Sequence, residues 1–268
     1  MPVLSIVIVS YNTRTDLERC LESLHNPAPA LAHEIIVVDN ASVDGSADAV
    51  RRWPDFTIIR SATNLGFAAA TNVGIRASTG DYLLLLNSDT VIPEDALDRL
   101  VRVLEQHPGA GVVGPRLVDA EGRVELSFGA MISPLAERRQ KRLGRRLAAG
   151  EPRAVARVEA MTRVEQHPDW VSGACLLVRR SAAETVGLLD ERFFMYTEDV
   201  DFCAAIRARG LDVLFTPSVE IVHLGGRSKA TAPRATHAAY RRSHLAFYEK
   251  HHPWLAPVLR LYVWLRDH

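Results

Sequence analysis

The chain has 268 residues, 47% of them hydrophobic and 24% charged, a composition typical of globular proteins rather than of disordered, fibrous or integral membrane ones. Its 32 basic and 32 acidic side chains cancel, so no overall field draws the molecule to nucleic acid. The three cysteines have neither disulfide nor zinc-site spacing. Because the N-terminus has no basic leader and no apolar run reaches roughly 18 residues, we expect a cytoplasmic protein.

Short apolar runs in the first third alternate with amphipathic stretches, a pattern that predicts an α/β fold with a mostly parallel open sheet flanked by helices. Four buried strands are predicted at residues 4–9, 34–38, 56–59 and 82–86. Polar residues follow each of them. Since ligands of open α/β sheets bind beyond the carboxyl ends of the strands, these polar residues are expected to converge on one cleft.

The later elements are a helix at 93–107, strands at 111–118 and 170–179, and a helix at 198–209 that ends at Gly210. Nine basic and four acidic residues give segment 136–165 a charge of +5, and we interpret it as a mobile basic insertion. The tail 227–268 carries eight basic and two acidic residues, or +6. The charge is therefore polarised although it sums to zero.

The turn Asn87–Asp89 directly follows a predicted strand. A carboxylate at such a strand end can hold Mg²⁺ or Mn²⁺, and phosphate oxygens and water then complete the coordination. An equally acceptable interpretation is an Asx turn that caps the following helix.

Three carboxylates, Glu198, Asp199 and Asp201, lie at the start of a predicted helix. Acidic residues are stabilised there by the helix dipole, and Thr197 is a good N-cap, so a purely structural role is one interpretation. The preceding aromatic run 193–196 favours a pocket wall instead.

His223 ends an apolar stretch and precedes a glycine-containing loop with Arg227. A lone histidine is most often a hydrogen-bonded structural residue, and this one becomes a ligand candidate only through its neighbours. The loop and Arg227 are candidates for contacting phosphate.

Six motifs occur in the order found in inverting family 2 glycosyltransferases of the GT-A fold, and the chain resembles their bacterial rhamnosyltransferase branch over residues 3–228. They are Ile6–Asn12, Val37–Ser46, Asn64–Ala68, Asn72 with Gly74, Leu86–Asp89 and Thr197–Asp201.

The resemblance implies a role for each motif residue. Tyr11 and Asn12 would lie beside the nucleotide base, Asp39 would accept its imide N–H, and Asn64 and Asn72 would line the nucleoside and sugar pocket. Asp89 would bind the metal with His223, while Asn87 replaces the first aspartate of the family motif and leaves the site less negative. Trp170, Gly173 and Glu198 would shape the donor and acceptor pockets.

The same resemblance makes Asp199 the catalytic base that takes a proton from the acceptor hydroxyl. It divides the chain into a catalytic domain, 1–230, and a helical tail, 231–268. Within the domain, 1–118 would bind the nucleotide sugar and 166–230 would supply the base and the acceptor site. The donor is expected to be dTDP-rhamnose or a UDP-sugar, and the acceptor a glycan or a lipid-linked glycan.

Two other function classes compete with this interpretation. A nucleotidyltransferase or a dinucleotide-dependent dehydrogenase predicts a glycine-rich loop after the first strand, but the residues there contain no glycine. A catalytically silent nucleotide-sugar-binding assembly subunit would be favoured if the carboxylate at position 199 were absent.

The tail has two open interpretations. Its mixture of aromatic, aliphatic and basic residues between 240 and 266 suits a helix lying peripherally on an anionic membrane surface. It equally suits a helix packed on the catalytic domain or in a homodimer contact.

Overall fold

The computed structural model describes residues 2–225 and 233–260, without the side chains of 233–236. These residues contain ten strands: β1 (Leu4–Ser10), β2 (His33–Asp39), β3 (Thr57–Arg60), β4 (Tyr82–Asn87), β5 (Thr90–Val91), β6 (Ala110–Val118), β7 (Phe128–Gly129), β8 (Trp170–Val171), β9 (Cys175–Arg179) and β10 (Asp212–His223).

The helices of the same residues lie around these strands. They are α1 (Arg14–His25), α2 (Ser46–Ala49) continued by a 3₁₀ turn, α3 (Phe67–Ala77), α4 (Ala96–Gln106), α5 (Pro134–Ala148), α6 (Pro152–Met161), α7 (Arg180–Thr185), α8 (Glu198–Ala208) and α9 (Pro233–His251). All four strands predicted in the first third are present within one or two residues of their expected bounds.

Eight strands form one sheet in the order β3-β2-β1-β4-β9-β6-β10-β5, and β7 pairs with β8 in a small second sheet. The first four strands are parallel, as are β6 and β10. Strand β9 runs antiparallel to both of its neighbours. The prediction of a mostly parallel open sheet is therefore confirmed.

Apolar side chains cover both faces of the sheet. On one face Ile6 and Ile8 of β1 pack in a cluster with Leu17 of α1 and Leu100 of α4. On the other face Val7 belongs to a second cluster with residues of α3 and α8. Because each fully buried aliphatic side chain contributes about 1.5–3 kcal/mol, the two layers hold the strand ends firmly in place.

The expected strand 170–179 divides into β8 and β9. Residues 172–174 leave the strand because their polar groups bond elsewhere: Ser172 N donates to Ser127 O, and Gly173 N donates to Asp199 Oδ2 at 2.9 Å. The break brings the start of β9 to the carboxyl end of β4.

The basic segment 136–165, expected to be an insertion, consists largely of helices α5 and α6. Pro134 occupies the first turn of α5 and Ser133 Oγ accepts from Ala136 N, a favourable start for a helix. Gly150, at φ +68°, separates the two helices. No residue of α5 is buried, whereas α6 buries Ala154 and Val158.

Helix α9 packs on the body of the protein. Its Phe247 and Tyr248 form a cluster with Phe193 and Val200. The tail therefore has a packed first part, up to His251. In the part of the chain that the structure describes, no helix is long and apolar enough to cross a membrane.

Candidate active site

The polar strand ends meet at one edge of the sheet, as predicted. Ser10 at the end of β1 shares a hydrogen bond with Thr13 (Oγ to Oγ1, 3.0 Å), and Thr13 Oγ1 lies 2.8 Å from Ser88 Oγ after β4. Asn40 N donates to Ser10 O, and Asn87 N donates to Ala174 O just before β9. Four strands are thus tied together around a single crevice.

A cleft of about 540 Å³ opens beyond the end of β2. Its lining residues include Asp39, Ser42, Val43, Arg60 and Ser61. Asp39 is 4% exposed and its Oδ2 accepts from Ser42 N. Its Oδ1 has no partner among the described residues. A buried carboxylate oxygen without a donor is a strong acceptor for a ligand N–H group.

Asn12 contacts the loop that lines this cleft, and Tyr11 precedes it in the chain. Tyr11 is half exposed, while Asn12 adopts φ +53°. The side chain of Asn12 accepts from Val43 N at 2.8 Å, and its backbone N donates to Ser42 Oγ at 2.9 Å. Asn12 therefore holds the loop after β2, and Tyr11 has an exposed ring just after β1.

Asn64 lies beside the same loop. Its Oδ1 accepts from Asn40 Nδ2 and from Gly66 N, both at 2.9 Å. Asn64 is thus fixed in place through its oxygen, and its amide nitrogen is the group that remains for a ligand.

The contacts of Asn72 do not support the expectation that it lines the nucleoside and sugar pocket. Its Nδ2 donates to Leu189 O at 2.8 Å and to Glu191 Oε1 at 2.9 Å, and its Oδ1 accepts from Leu189 N at 3.1 Å. Because both ends of this buried amide are used, Asn72 fastens α3 to segment 189–191.

The turn Asn87–Asp89 leads into β5, so it does not cap the following helix. Thr90 Oγ1 donates to Asn87 O at 2.8 Å. Strand β5 pairs antiparallel with the end of β10, with His223 opposite Thr90. This ladder brings Asp89 Oδ1 to 3.4 Å from His223 Nε2. Two residues 134 positions apart are therefore side by side, as the proposed metal site requires.

Glu125 is a member of this cluster that the sequence did not reveal. Its Oε2 lies 3.0 Å from His223 Nδ1. Burial lowers the pKa of His223, but its hydrogen bonds with Asp89 and Glu125 raise it to about 10. A carboxylate on the far nitrogen of an imidazole is a common arrangement behind metal-binding histidines. Glu125 lies in a connection without an apolar pattern, so no sequence signal marked it.

The donor set fits a hard divalent cation. Asp89 supplies one carboxylate, and His223 supplies an imidazole once it releases the proton that Asp89 and Glu125 stabilise. A cation shared with a diphosphate needs few protein ligands. Among residues 2–225 and 233–260 there is no group of three or more side chains arranged to hold a metal. The remaining ligands would therefore come from a substrate and water.

The acidic cluster begins α8 and faces the start of β9. Asp199 Oδ2 accepts from Gly173 N and Oδ1 accepts from Val200 N, both at 2.9 Å. Burial raises the pKa of Asp199, although these hydrogen bonds favour its charged form. A Cβ on Gly173 would lie 3.3 Å from Asp199 Cβ, so a glycine permits this close approach.

The other two carboxylates of the cluster differ in their surroundings. Burial, and next the charge of Asp199, raise the pKa of Glu198 well above its usual range. Its Oε2 has no partner among the described residues. Asp201, by contrast, bonds to α9: Lys250 Nζ lies 2.8 Å from its Oδ2 and His251 Nε2 lies 2.6 Å from its Oδ1. Asp201 is therefore an anchor for the tail.

The segment before α8 has an uncommon backbone. Tyr196 and Thr197 both adopt left-handed conformations, at φ +70° and +67°, which are costly for residues with a Cβ. Thr197 occupies the N-cap position of α8, as predicted, but its side chain makes no capping hydrogen bond. Phe194 O accepts from Phe67 N at 2.7 Å and lies where a Cβ on Gly66 would be, which fixes the segment against α3.

Two of the predicted site residues, Trp170 and Arg227, remain to be placed. Trp170 begins β8, and its Nε1 donates to Ala130 O at 2.9 Å. The ring contacts the cluster that joins α9 to the rest of the protein. Trp170 therefore helps to hold α9 in place. Arg227 lies outside the described residues.

The crevice thus brings together the unpartnered Oδ1 of Asp39, the neighbouring Asp89 and His223, and the hydrogen-bonded carboxylate of Asp199 at the same sheet edge. The model of the family described as "Glycosyl transferase family 2" matches residues 5–187. The chain belongs to glycosyl transferase family 2. It is an enzyme of the rhamnosyltransferase-like branch of this family, in agreement with the resemblance seen in its motifs.

One curated relative is similar over nearly the whole chain. It is the N-acetylglucosaminyl-diphospho-decaprenol L-rhamnosyltransferase of Mycobacterium tuberculosis, 32% identical, with 99% of this chain and 92% of the relative covered. This similarity extends beyond residue 187, so it includes α8 and the tail.

Solved structures share the GT-A fold. A mannosyltransferase from Pyrobaculum calidifontis, in complex with GDP-Man and Mn²⁺, has a TM-score of 0.64 at 22% identity and covers 97% of this chain and 68% of its own. GalNAc-T7 with UDP, GalNAc and Mn²⁺ has a TM-score of 0.61 at 17% identity, covering 83% and 44%. At these identities the likeness concerns the fold.

Proposed function

We propose that this glycosyltransferase moves a sugar, with inversion, from a nucleotide diphosphate sugar to a glycan or lipid-linked acceptor. Asp199 carries the proposal: it is a half-buried carboxylate with a raised pKa, held by Gly173 N beside the strand end that bears Asp89. The 32% identical rhamnosyltransferase supports rhamnose as the sugar.

Residues 1–118 would bind the donor. The free Oδ1 of Asp39 suits the imide N–H of thymine or uracil, so dTDP-rhamnose and UDP-sugars both meet its requirement. Tyr11 would cover the base, and Asn12 would keep the loop after β2 in position. Asn64 would offer its amide nitrogen to the nucleoside.

Asp89 and His223 would hold Mg²⁺ or Mn²⁺ together with the donor diphosphate, and Glu125 would orient the imidazole. When bound, the cation stabilises the negative charge that grows on the leaving diphosphate. The Mn²⁺ named in two structures of the same fold supports this choice.

Residues 166–230 would provide the acceptor side. Asp199 accepts the proton of the acceptor hydroxyl while that oxygen attacks the anomeric carbon from the face opposite the diphosphate, which inverts the anomeric centre. Glu198, whose pKa is raised by burial and by the charge of Asp199, would contribute to the acceptor side next to Asp199. The hydrogen bonds from Gly173 and Val200 keep Asp199 oriented.

Calorimetry of nucleotide binding tests the cation pair. Asp89→Ala should weaken dTDP or UDP in Mn²⁺ by at least tenfold (about 1.4 kcal/mol), but leave the free nucleoside unaffected, because only the diphosphate shares the ion. Asp95→Ala, a change of the same size outside the crevice, is the matched control. Equal diphosphate affinity in Mn²⁺ and in EDTA would show that the turn binds no cation.

A further inference from the structure

Helix α5 carries an arginine stripe that no part of the described protein covers. Six basic residues and one glutamate give the helix a charge of +5. Arg138, Arg139, Arg142 and Arg145 are all exposed, and their spacing of three and four positions places them on one face.

The stripe arginines form no short ion pair within the described residues, and Arg142 acts on the charge of Glu151 only from a greater distance. Among the basic residues of α5, Lys141 pairs with Glu137 and Arg146 with Glu151. The four stripe arginines form no such ion pair in residues 2–225 and 233–260; Arg145 makes only a 3.4 Å bond to Lys141 O. Unneutralised arginines on one helix face attract a surface of negative charge.

Exposed apolar side chains lie next to the stripe. Leu135, one turn before Arg138, is 69% exposed. His252 Nε2 bonds to Ile132 O at 2.8 Å, which brings the segment after α9 to the start of α5. In that segment Trp254 and Val258 are 74% and 67% exposed. The start of α5 therefore lies near both the positively charged arginine stripe and these exposed apolar side chains.

The position of α5 relates this surface to the acceptor side. Gln140 Nε2 donates to Phe128 O at 3.1 Å, and β7, which contains Phe128, pairs with β8. Strand β8 ends two residues before Gly173, the partner of Asp199. The stripe thus lies on a helix that contacts the β7–β8 pair, and this pair leads to Gly173 and the proposed catalytic base Asp199.

We propose that Leu135, the four stripe arginines, Trp254 and Val258 form a docking surface for a bilayer that contains anionic phospholipid. Arginines contact the phosphate headgroups while the leucine, tryptophan and valine enter the interface. Exposed aliphatic and indole groups favour a bilayer over a nucleic acid backbone. This inference deepens the proposed function by adding a membrane contact to it. It rests on that function only for the purpose of the surface, which is to present a lipid-linked acceptor to Asp199.

Co-sedimentation with vesicles tests the surface. The full chain should bind phosphatidylglycerol vesicles at low salt and not pure phosphatidylcholine vesicles. Replacing the four stripe arginines by glutamine should lower the apparent vesicle affinity at least about tenfold. The matched control removes four exposed charges elsewhere, at Arg19, Arg51, Arg102 and Arg209, and should bind vesicles like the wild type.

Trp254→Ser with Val258→Ser tests the apolar part and should also reduce vesicle binding. Calorimetry of dTDP or UDP with Mn²⁺ on the same variants separates the two proposals, because nucleotide affinity should not change. Three outcomes would overturn the docking surface. The wild-type chain could fail to bind anionic vesicles, the stripe variant could bind them as well as its control does, or the chain could bind duplex DNA in place of vesicles. None of these outcomes would affect the proposed chemistry.

Discussion

At the scale of single residues, the burial of Asp199 has a direct kinetic consequence. Asp199, the proposed base, works in its deprotonated form, and burial raises its pKa. Activity should therefore fall as the pH drops through a value above the ordinary aspartate pKa of about 3.9. Asp199→Asn should reduce turnover by roughly 10²-fold or more, because the amide keeps the shape but accepts no proton.

Donor binding by calorimetry should survive in the Asp199→Asn protein. Asp81→Asn is the matched control, since it makes the same chemical change at an exposed carboxylate outside the crevice. A well-folded Asp199→Asn enzyme with wild-type turnover would assign the base to a different group.

Asp39 offers a second test at this scale. Replacing it by Asn presents an N–H group where the free Oδ1 now faces the cleft, so a base imide would meet a donor instead of an acceptor. Affinity for dTDP or UDP should fall by about 1–3 kcal/mol, measured by calorimetry. Asp48→Asn, at the exposed rim of the same cleft, should change little. An unchanged affinity in Asp39→Asn would place the base elsewhere.

At the scale of elements, Glu137 links α5 to α9. His244 Nε2 lies 2.8 Å from Glu137 Oε2, and Lys141 pairs with the same carboxylate. Burial would raise the pKa of Glu137, but these partners lower it to about 2. The carboxylate therefore stabilises the fold fully above pH 4.5, its ordinary value, and this stabilisation is lost as the pH falls towards 2.

Glu137→Gln should remove most of this acid dependence. Denaturant unfolding between pH 6 and pH 2 should show a loss of roughly 2–3 kcal/mol in the wild type that is absent from the variant. Glu184→Gln, whose carboxylate is exposed and pairs only with Arg180, should follow the wild-type curve. If the free energy of unfolding changed with pH in the same way for all three proteins, Glu137 would not contribute to the acid dependence of stability.

The parts of the fold that the sequence predicted are those that local pattern controls. The strands up to β4 and helix α4 follow from apolar periodicity, and the convergence of Asp39 and Asp89 follows from parallel strand order. The antiparallel insertion of β9 between β4 and β6 depends on pairings remote in sequence. No local signal encodes them, just as none marks Glu125 or the contacts that occupy Asn72.

At the scale of the whole molecule, the tail is part of the folding unit. Phe247 of α9 is fully buried and joins residues of α8 and its preceding segment. Phe247→Ala should cost about 3–5 kcal/mol of unfolding free energy, within one cooperative transition. Trp254→Ala, at a position 74% exposed, should stay within about 0.5 kcal/mol of the wild type. Two separate transitions, or a small loss for Phe247→Ala, would make the tail an independent module.

Strand β9 also bears on how such a molecule can diversify. It pairs with β4 on one side, where Leu86 lies opposite Cys175, and with β6 on the other, and both of these strands belong to residues 1–118. Its side chains also share the core with β4, since Cys175 and Leu177 pack in one cluster with Leu84 and Leu86. A chimera of two homologues should therefore keep residues 1–179 from one parent, because a crossover between β4 and β9 would separate strands that pair and pack together.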